Sequence, residues 1–196
     1  MPTSGLVVCL PIMRPLDKEE TEKVFAKLIN FIGDNVHALL ERKDDPHVFR
    51  LHKDRVFYVS ELVLAHASPF QRKDLKSFGT CLGKMTHSGK FHLHITALPI
   101  LAQYAKYKVW VNESSALSFV YKNHVLKSGL VLMTENVPAH QGVVVYAKKE
   151  SENDVPIGFG ILARATYECQ ACEPGDIVVF HQADVGEYLR DEENLV

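Results

Sequence analysis

Cysteine is scarce in this chain, and its positions are scattered. The 196 residues include four cysteines, of which only Cys169 and Cys172 lie close together in the sequence. A small secreted domain stapled by disulfides needs more cysteines at closer spacing, so this class of protein is excluded. A structural zinc site needs four ligands, and no second Cys-x-x-Cys pair or paired histidine spacing accompanies the first. We therefore interpret the cysteines as ordinary reduced thiols and predict no metal site.

Long hydrophobic runs are also missing. No apolar run approaches the roughly 18 residues of a membrane-spanning helix. Gly5–Ile12 is apolar, but no basic residue precedes it and no small-residue cleavage site follows it, so it does not match a signal peptide. We expect residues 1–12 to form a flexible N-terminal extension. With 46% hydrophobic and 23% charged residues, the rest of the chain has the composition of a globular protein with a packed core.

A strong net charge is absent as well, since the formal charge is −2. Residues 1–106 hold 15 lysines and arginines against 11 aspartates and glutamates, whereas residues 107–196 hold 7 against 13. A uniformly basic RNA-binding surface is therefore excluded. Any contact with nucleic acid must come from local patches.

Motifs for nucleotide or nucleophile chemistry do not occur. The sequence has no P-loop, no Gly-x-Ser-x-Gly and no dinucleotide-binding fingerprint, so we predict no cofactor. Gly158-Phe-Gly160 lies inside a strand pattern, where glycine indicates close backbone approach. Asp184 and Glu187 lie beside the acidic run 191–193, which favours a solvated acidic tail over a catalytic carboxylate pair.

His92-Leu-His94-Ile-Thr96 is the most suggestive catalytic pattern. His-x-Thr on a strand is half of the two-histidine phosphoesterase signature, in which paired imidazoles perform acid–base chemistry on phosphate. The other half is matched only by His66-Ala-Ser68, at the end of a predicted helix. Lys90, His92 and His94 on one strand face are alternatively a patch that contacts RNA or a protein partner, or ordinary solvated surface.

The first half of the chain predicts an α+β domain with an antiparallel sheet. Asp17 with Glu20 is a helix-start signal, and Gly33 ends the helix. Val48–His52 and Arg55–Ser60 read as a hairpin that turns at Lys53-Asp54. The remaining predicted elements are the helices Asn35–Leu40, Glu61–Ala67, Phe70–Lys76 and Leu98–Ala105, and the strands Phe78–Thr86 and Lys90–Ala97.

The second half predicts a small β-barrel. Its predicted strands are short and recur every 8–15 residues: Lys108–Val111, Ser118–Tyr121, Leu130–Thr134, Gly142–Ala147, Ile157–Ala165 and Ile177–Gln182. One short helix is predicted at Lys122–Lys127. The change of pattern places a domain boundary near residues 105–107. No linker rich in proline or glycine separates the halves, so we expect them to pack together.

The predicted Lys122–Lys127 helix and the two residues after it concentrate hydrogen-bond donors. Lysines and amides bind phosphate and sugar, and a glycine lets a loop approach a nucleic-acid backbone. The candidate RNA-binding residues of this segment are Lys122, Asn123, His124, Lys127, Ser128 and Gly129.

Taken together, these segments resemble the Nip-seven family of assembly factors for the large (60S) ribosomal subunit. The matching runs are in order and extend from about Met13 to the C-terminus. They are Phe49–Glu61, Phe78–Leu98, Tyr104–Trp110, Asn123–Leu130, Thr134–Asn136, Gln141–Tyr146, Gly158–Gly160 and Val178–Glu193.

The resemblance implies an α/β domain (13–105) followed by a PUA domain (106–196), a small barrel common in RNA-binding proteins. It implies a protein without catalytic activity that binds pre-rRNA and joins pre-60S particles and other assembly factors in the nucleus and nucleolus. We expect a monomer without cofactor. In PUA domains RNA is held by the helix after the first strand and by late strands of the barrel, which here offer Arg164. Lys90 and His92 are further candidates on the N-terminal domain.

One departure from the family pattern concerns the late strands. Archaeal members carry basic residues there, whereas residues 164–176 offer Arg164 beside Glu168, Glu173 and Asp176. This weakens the expected RNA binding of that face and leaves room for a protein partner. The alternative function is therefore a protein-interaction adaptor within pre-ribosomes with residual RNA binding. An RNA-modifying enzyme is disfavoured, because the 106 residues before the barrel are too few for its catalytic domain.

Overall fold

The computed structural model describes residues 13–42, 45–67, 78–148 and 154–195, which form two sheets with short helices. The strands are β1 (Arg14–Pro15), β2 (His47–His52), β3 (Arg55–Ser60), β4 (Thr80–Met85), β5 (Phe91–Leu93), β6 (Lys108–Val111), β7 (Val125–Leu126), β8 (Leu130–Met133), β9 (Gly142–Ala147), β10 (Val155–Leu162) and β11 (Ile177–Asp184). The helices are α1 (Lys18–Ile32), α2 (Val36–Leu40), α3 (Glu61–Ala67), α4 (Leu98–Tyr104), α5 (Glu113–Val120), α6 (Thr166–Gln170), α7 (Glu187–Arg190) and α8 (Glu192–Leu195). None of the described helices is long and apolar enough to cross a membrane.

Helix α1 begins and ends where the sequence predicts. The Asp17 carboxylate accepts from the Glu20 N–H at 2.7 Å, and the Glu20 carboxylate accepts from the Asp17 N–H at 3.0 Å, which completes a capping box. Gly33 ends the helix with a left-handed φ of 56°. Val24 and Leu28 are fully buried against the sheet. The predicted extension 1–12 and the predicted helix Phe70–Lys76 lie outside the described residues.

The N-terminal sheet is antiparallel throughout, in the order β1-β2-β3-β4-β5. The predicted β2–β3 hairpin is confirmed. Lys53 and Asp54 both have left-handed φ, 47° and 64°, as a two-residue turn between twisted strands requires.

Strand β5 is shorter than predicted. It ends at Leu93, and a 3-10 turn at Ile95–Ala97 leads into α4. The turn is fixed because the Thr96 hydroxyl donates to the Cys81 carbonyl at 2.6 Å. The expected alternation holds for buried Phe91 and exposed His92, but His94 is half-buried and so does not belong to a solvated row.

The second sheet is a nearly closed barrel, in the order β7-β11-β10-β9-β6-β8. Strands β6 and β9 pair in parallel, and the other pairs are antiparallel. Most predicted strands are confirmed within a few residues. The predicted strand Ser118–Tyr121 is wrong, because these residues end helix α5 and the turn that follows it.

The two halves share one apolar core, as expected. The Phe31 ring of α1 packs edge-on against the Phe159 ring of β10, with 5.3 Å between centroids. Gly142 of β9 lies so close to Phe31 that a Cβ there would come within 2.6 Å of the ring. The Lys106 N–H also donates to the Phe31 carbonyl at 3.1 Å. The division at residues 105–106 stays a prediction.

Candidate nucleic-acid interface

Helix α5 is the element that presents the predicted segment. Asn112 caps it, since its side-chain oxygen accepts from the Ser115 N–H at 2.8 Å. Ala116 and Phe119 are buried in the barrel, which leaves the serines of the helix on the outside. Sequence reasoning missed this helix. The available signal was an N-cap asparagine followed by apolar residues at positions 116, 119 and 120, which is helical spacing.

The predicted helix Lys122–Lys127 is wrong, because helix α5 ends just before this segment and Lys122 is not helical. Lys122 has a left-handed φ of 69°, and its N–H donates to the Phe119 carbonyl at 3.0 Å, which ends α5. The Asn123 side chain then donates to the Ser118 carbonyl at 3.1 Å. Val125 pairs with Val179 of β11, so the residues after the turn form a strand.

The second part of the segment is held by the loop before β11. The Lys127 N–H donates to the Asp176 carbonyl at 2.8 Å, and the Ser128 N–H donates to the Pro174 carbonyl at 3.0 Å. Gly129 packs against α5 so closely that a Cβ would overlap the Ser115 side chain. The glycine therefore serves close packing inside the protein.

His124 is exposed yet fixed in orientation. Its Nδ1 accepts from the His181 backbone N–H at 3.1 Å, and its ring meets the Phe180 ring edge-on, with centroids 5.5 Å apart. Because Nδ1 is an acceptor, the neutral ring carries its proton on Nε2. This leaves an N–H donor available to a ligand.

A cleft of about 600 Å³, most of whose lining residues are polar, opens between α5 and the segment Asn123–Gly129. Its lining combines hydroxyl, amide and imidazole groups, the donor and acceptor types that contact phosphate and ribose. The lining residues are Asn112, Ser114, Ser115, Ser118, Asn123, His124, Leu126, Ser128, Gly129 and Ile177.

Arg164 lies near Lys127, across the loop that carries Asp176. Its guanidinium is 3.5 Å from the Asp176 carboxylate and donates to the Cys172 sulfur at 3.4 Å. Burial raises the pKa of the Cys169 thiol, even though Lys127 and Arg164 act in the opposite direction. Arg164 is therefore a half-exposed cation that Asp176 partly neutralises, which agrees with the acidic composition of this half.

Lys90 and His92 lie on the N-terminal sheet rather than on the barrel. Both side chains are exposed. Within the described ranges, no hydrogen bond, ion pair or ring contact joins either side chain to the segment 122–129. The structure thus divides the predicted residues between two surfaces.

Asp184 corrects the prediction of a solvated acidic tail. It is fully buried, and Arg190 donates to both of its oxygens at 2.9 and 2.8 Å. His181 Nε2 lies 2.7 Å from the same carboxylate, and burial lowers the pKa of His181 while the hydrogen bond to Asp184 opposes that shift. Arg190 also donates to the Val120 carbonyl, so this network joins α7 to the end of α5.

The same network contains a group of possible metal ligands. His181, Asp184 and Glu187 each offer a ligand atom within 4.8 Å of the others. Because Arg190 already contacts both Asp184 oxygens, the arrangement is that of an ion-pair network.

Comparison with known proteins places the chain in a family. The family model described as "NIP7/UPF0113, pre-PUA domain" matches residues 13–95, and the model "UPF0113 PUA domain" matches residues 107–193. The 60S ribosome subunit biogenesis protein nip7 of Schizosaccharomyces pombe is 54% identical over 183 residues, which are 93% of this chain and 99% of that protein. The chain belongs to the NIP7 family. The NIP7 homolog of Xenopus laevis is 56% identical over the same shares of both chains.

Solved structures agree with the NIP7 fold. A PUA-domain protein from Aeropyrum pernix K1, crystallised with tartrate, superposes with a TM-score of 0.58 at 12% identity. The superposition covers 93% of this chain and 91% of that protein. A conserved PUA-domain protein from Thermoplasma acidophilum has a TM-score of 0.52 at 12% identity, covering 90% and 96%. At these identities the likeness shows the fold alone. The resemblance inferred from the sequence and the predicted fold class are confirmed.

Proposed function

We propose that this NIP7-family chain is an assembly factor for the large (60S) ribosomal subunit that binds pre-rRNA without catalysing a reaction. The observation that carries the proposal is the near-complete match to relatives named as 60S ribosome subunit biogenesis proteins. A PUA barrel is an RNA-binding fold, and the relatives' names imply pre-60S particles and other assembly factors as partners. We further propose that it acts in the nucleus and nucleolus, as a monomer and without a cofactor.

The proposed RNA-binding surface is the segment 122–129 together with Arg164. Lys122 is exposed, Lys127 is half-buried, and the backbone of the segment is fixed by hydrogen bonds to neighbouring elements. Because this backbone is already ordered, only the lysine side chains lose freedom when they contact phosphate. Because few cations line this surface, we expect weak binding that depends on salt.

Replacing Lys122 and Lys127 by glutamate tests this assignment. On single-stranded RNA, the logarithm of the binding constant falls with the logarithm of salt concentration by about 0.7 per neutralised phosphate. The double variant should bind more weakly and lower this slope by about 1.4, the value for two contacts. A matched control replaces Lys18 and Lys23, two exposed lysines of α1, by glutamate. Equal binding by both double variants in a filter titration would remove segment 122–129 from the RNA surface.

A protein-interaction adaptor remains the second candidate function. The observation that favours it is the exposed ring of Tyr167 on α6, 73% accessible, beside Arg164 and Ala171. Exposed aromatic side chains of this kind are frequent anchors in protein interfaces. Partner pull-downs that survive ribonuclease, together with no RNA binding by the pure protein, would favour the adaptor.

A further inference from the structure

Cationic side chains line up across three neighbouring strands of the N-terminal sheet. The strand register sets Arg55 of β3 opposite Lys84 of β4, and Lys84 opposite His92 of β5. Val56 follows Arg55 on β3, and Leu93 follows His92 on β5. Both Val56 and Leu93 point into the core shared with α1. Because side chains alternate along a strand, the row Arg55–Lys84–His92 lies on the opposite, outer face of the sheet.

His94 extends this row after the end of β5. Burial lowers its pKa, and the nearby charges of Arg55 and Lys84 lower it further. Asp191, in the turn between α7 and α8, is the acidic group that acts in the other direction. We call Arg55, Lys84, His92 and His94 the outer-face cluster.

Two nitrogen atoms of the outer-face cluster lack the hydrogen-bond partners that buried polar atoms normally have. Arg55 Nη1 and His94 Nδ1 are both shielded from solvent and without a hydrogen-bond partner. Within the described part of the chain, the side chains of Arg55 and Lys84 form no hydrogen bond and no ion pair. A guanidinium nitrogen that is shielded from solvent without a hydrogen-bond partner is costly, and like charges directly opposite each other on a sheet are destabilising. Local rules are broken in this way mainly where a function compensates for the cost.

We propose that the outer-face cluster binds a phosphate group of the RNA backbone. The guanidinium fork of Arg55 matches two phosphate oxygens, and the Lys84 ammonium supplies a point charge beside it. The exposed imidazole of His92, opposite Lys84, offers the further hydrogen-bonding site. This inference rests on the proposed function, because that function supplies the polyanion. It adds a second contact, away from the barrel.

The unfolding temperature of an Arg55 variant distinguishes a binding role of the cluster from a structural role. Arg55→Gln removes a cation that stabilises no described partner. We therefore expect this variant to unfold at the same temperature as the unchanged chain or a few degrees higher, on the scale of about 2–4 °C for a protein of this size. A residue that only supports the fold would lower the unfolding temperature when replaced.

Binding is measured with the full chain and a fluorescent 20-nucleotide oligouridylate. The double variant Arg55→Gln, Lys84→Gln should bind about tenfold more weakly and show a salt slope lower by about 1.4, the value for two lost phosphate contacts. Lys18→Gln with Lys23→Gln, on the helix that covers the other face, is the charge-matched control and should change neither quantity. Unchanged binding by the Arg55–Lys84 variant would overturn the proposal.

The NMR signals of the histidine side chains show which surface the RNA contacts. They therefore distinguish an error in the outer-face cluster from an error in the proposed RNA-binding function. Oligouridylate should shift the imidazole signals of His92 and His94, which report on the outer-face cluster, and of His124, which reports on the barrel. A shift at His124 alone would overturn the cluster and leave the proposed function standing. A shift at neither site would overturn both. If polyglutamate at equal ionic strength shifts His94 as strongly as the RNA does, the cluster binds an acidic protein segment, and the RNA assignment is wrong.

Discussion

At the scale of the single residue, Asp184 shows how context changes the meaning of a carboxylate. In the sequence it precedes an acidic run and resembles solvated surface. In the structure its two oxygens accept from Arg190 and from the Gly186 N–H, with no exposure to solvent. These partners lie within six residues of Asp184, but the burial of its carboxylate depends on the packing of α7 against the end of α5, which no local pattern predicts.

Asp184→Ala should destabilise the protein strongly. The change leaves the buried Gly186 N–H without its acceptor and removes both hydrogen bonds from Arg190, whose guanidinium remains in part exposed to solvent, so the free energy of unfolding should fall by about 1–3 kcal/mol. Urea unfolding followed by circular dichroism measures this loss. Glu193→Ala, at an exposed carboxylate in α8, is the control and should stay within about 0.5 kcal/mol of the unchanged chain. A loss below about 1 kcal/mol for Asp184→Ala would contradict the importance of the network.

The pH dependence of stability follows from His94 and His181. Burial lowers the pKa of both imidazoles in the folded chain, so the unfolded chain binds protons more readily. Above about pH 6.5, the pKa of histidine in the unfolded chain, both imidazoles are neutral and the folded state carries no penalty from them. As the pH falls below that value, the unfolded chain takes up protons first and the folded state loses stability. His94→Gln should lose less stability between pH 7.5 and pH 5.5 than the unchanged chain. Thermal unfolding at both pH values checks this, with His87→Gln at an exposed turn as the control.

At the scale of the element, local sequence patterns predicted the start of α1 and the β2–β3 turn correctly, but predicted the wrong structure for Lys122–Lys127. The capping box at Asp17 and the turn at Lys53-Asp54 involve only neighbouring residues, so the sequence is enough. Lys122–Lys127 has the composition of an amphipathic helix, but Val125 is drawn into the ladder by Val179, which is distant in sequence. The assignment of the candidate RNA-binding residues on this segment stays a prediction, and helix α5, which positions the segment, was not predicted. Pairing across the barrel decided the structure there, and no local pattern contains it.

Lys122→Gly should stabilise the chain and weaken RNA binding at the same time. An L-residue in the left-handed region is strained by about 1–2 kcal/mol, and glycine removes this strain. Glycine also raises the conformational entropy of the unfolded chain, which offsets part of the gain in stability. We expect a net gain of about 0.5–1 kcal/mol in the free energy of unfolding.

Lys122→Gln is the matched control, because it removes the charge and keeps the strained backbone. It should weaken RNA binding as much as Lys122→Gly and leave stability unchanged. Urea unfolding and filter binding on both variants give the two quantities. Equal stability of the glycine and glutamine variants would show that Lys122 is not strained.

At the scale of the whole molecule, the two sheets are joined by one core. The contact between Phe31 and Phe159 involves residues 128 positions apart in a chain of 196, so no pattern read along the sequence reveals it. The absence of a linker predicted that the halves pack together, but not through which side chains. The sequence also placed Lys90 and His92 on the N-terminal domain, away from the barrel segment, but not on which face of the sheet they lie.

Gly142→Ala should destabilise both halves together. The added methyl group would press on the Phe31 ring, and overpacking of this kind costs about 1–3 kcal/mol. Because the core is shared, Trp110 fluorescence from the barrel and far-ultraviolet circular dichroism should report one transition with the same midpoint. Phe31→Leu should recover part of the loss in the double variant, which a double-mutant cycle measures. Two separate transitions would show that the halves unfold independently.

The close packing of Gly142 against Phe31 also fixes the distance between the two proposed phosphate-binding surfaces. Since no flexible tether lies between them, the second contact is available only to an RNA that spans this distance, and it then forms within the same complex. A shorter RNA occupies one surface at a time, whereas a longer one gains avidity. The affinity for oligouridylates should therefore rise in a step with their length, which makes the protein selective for RNA length without reading any base.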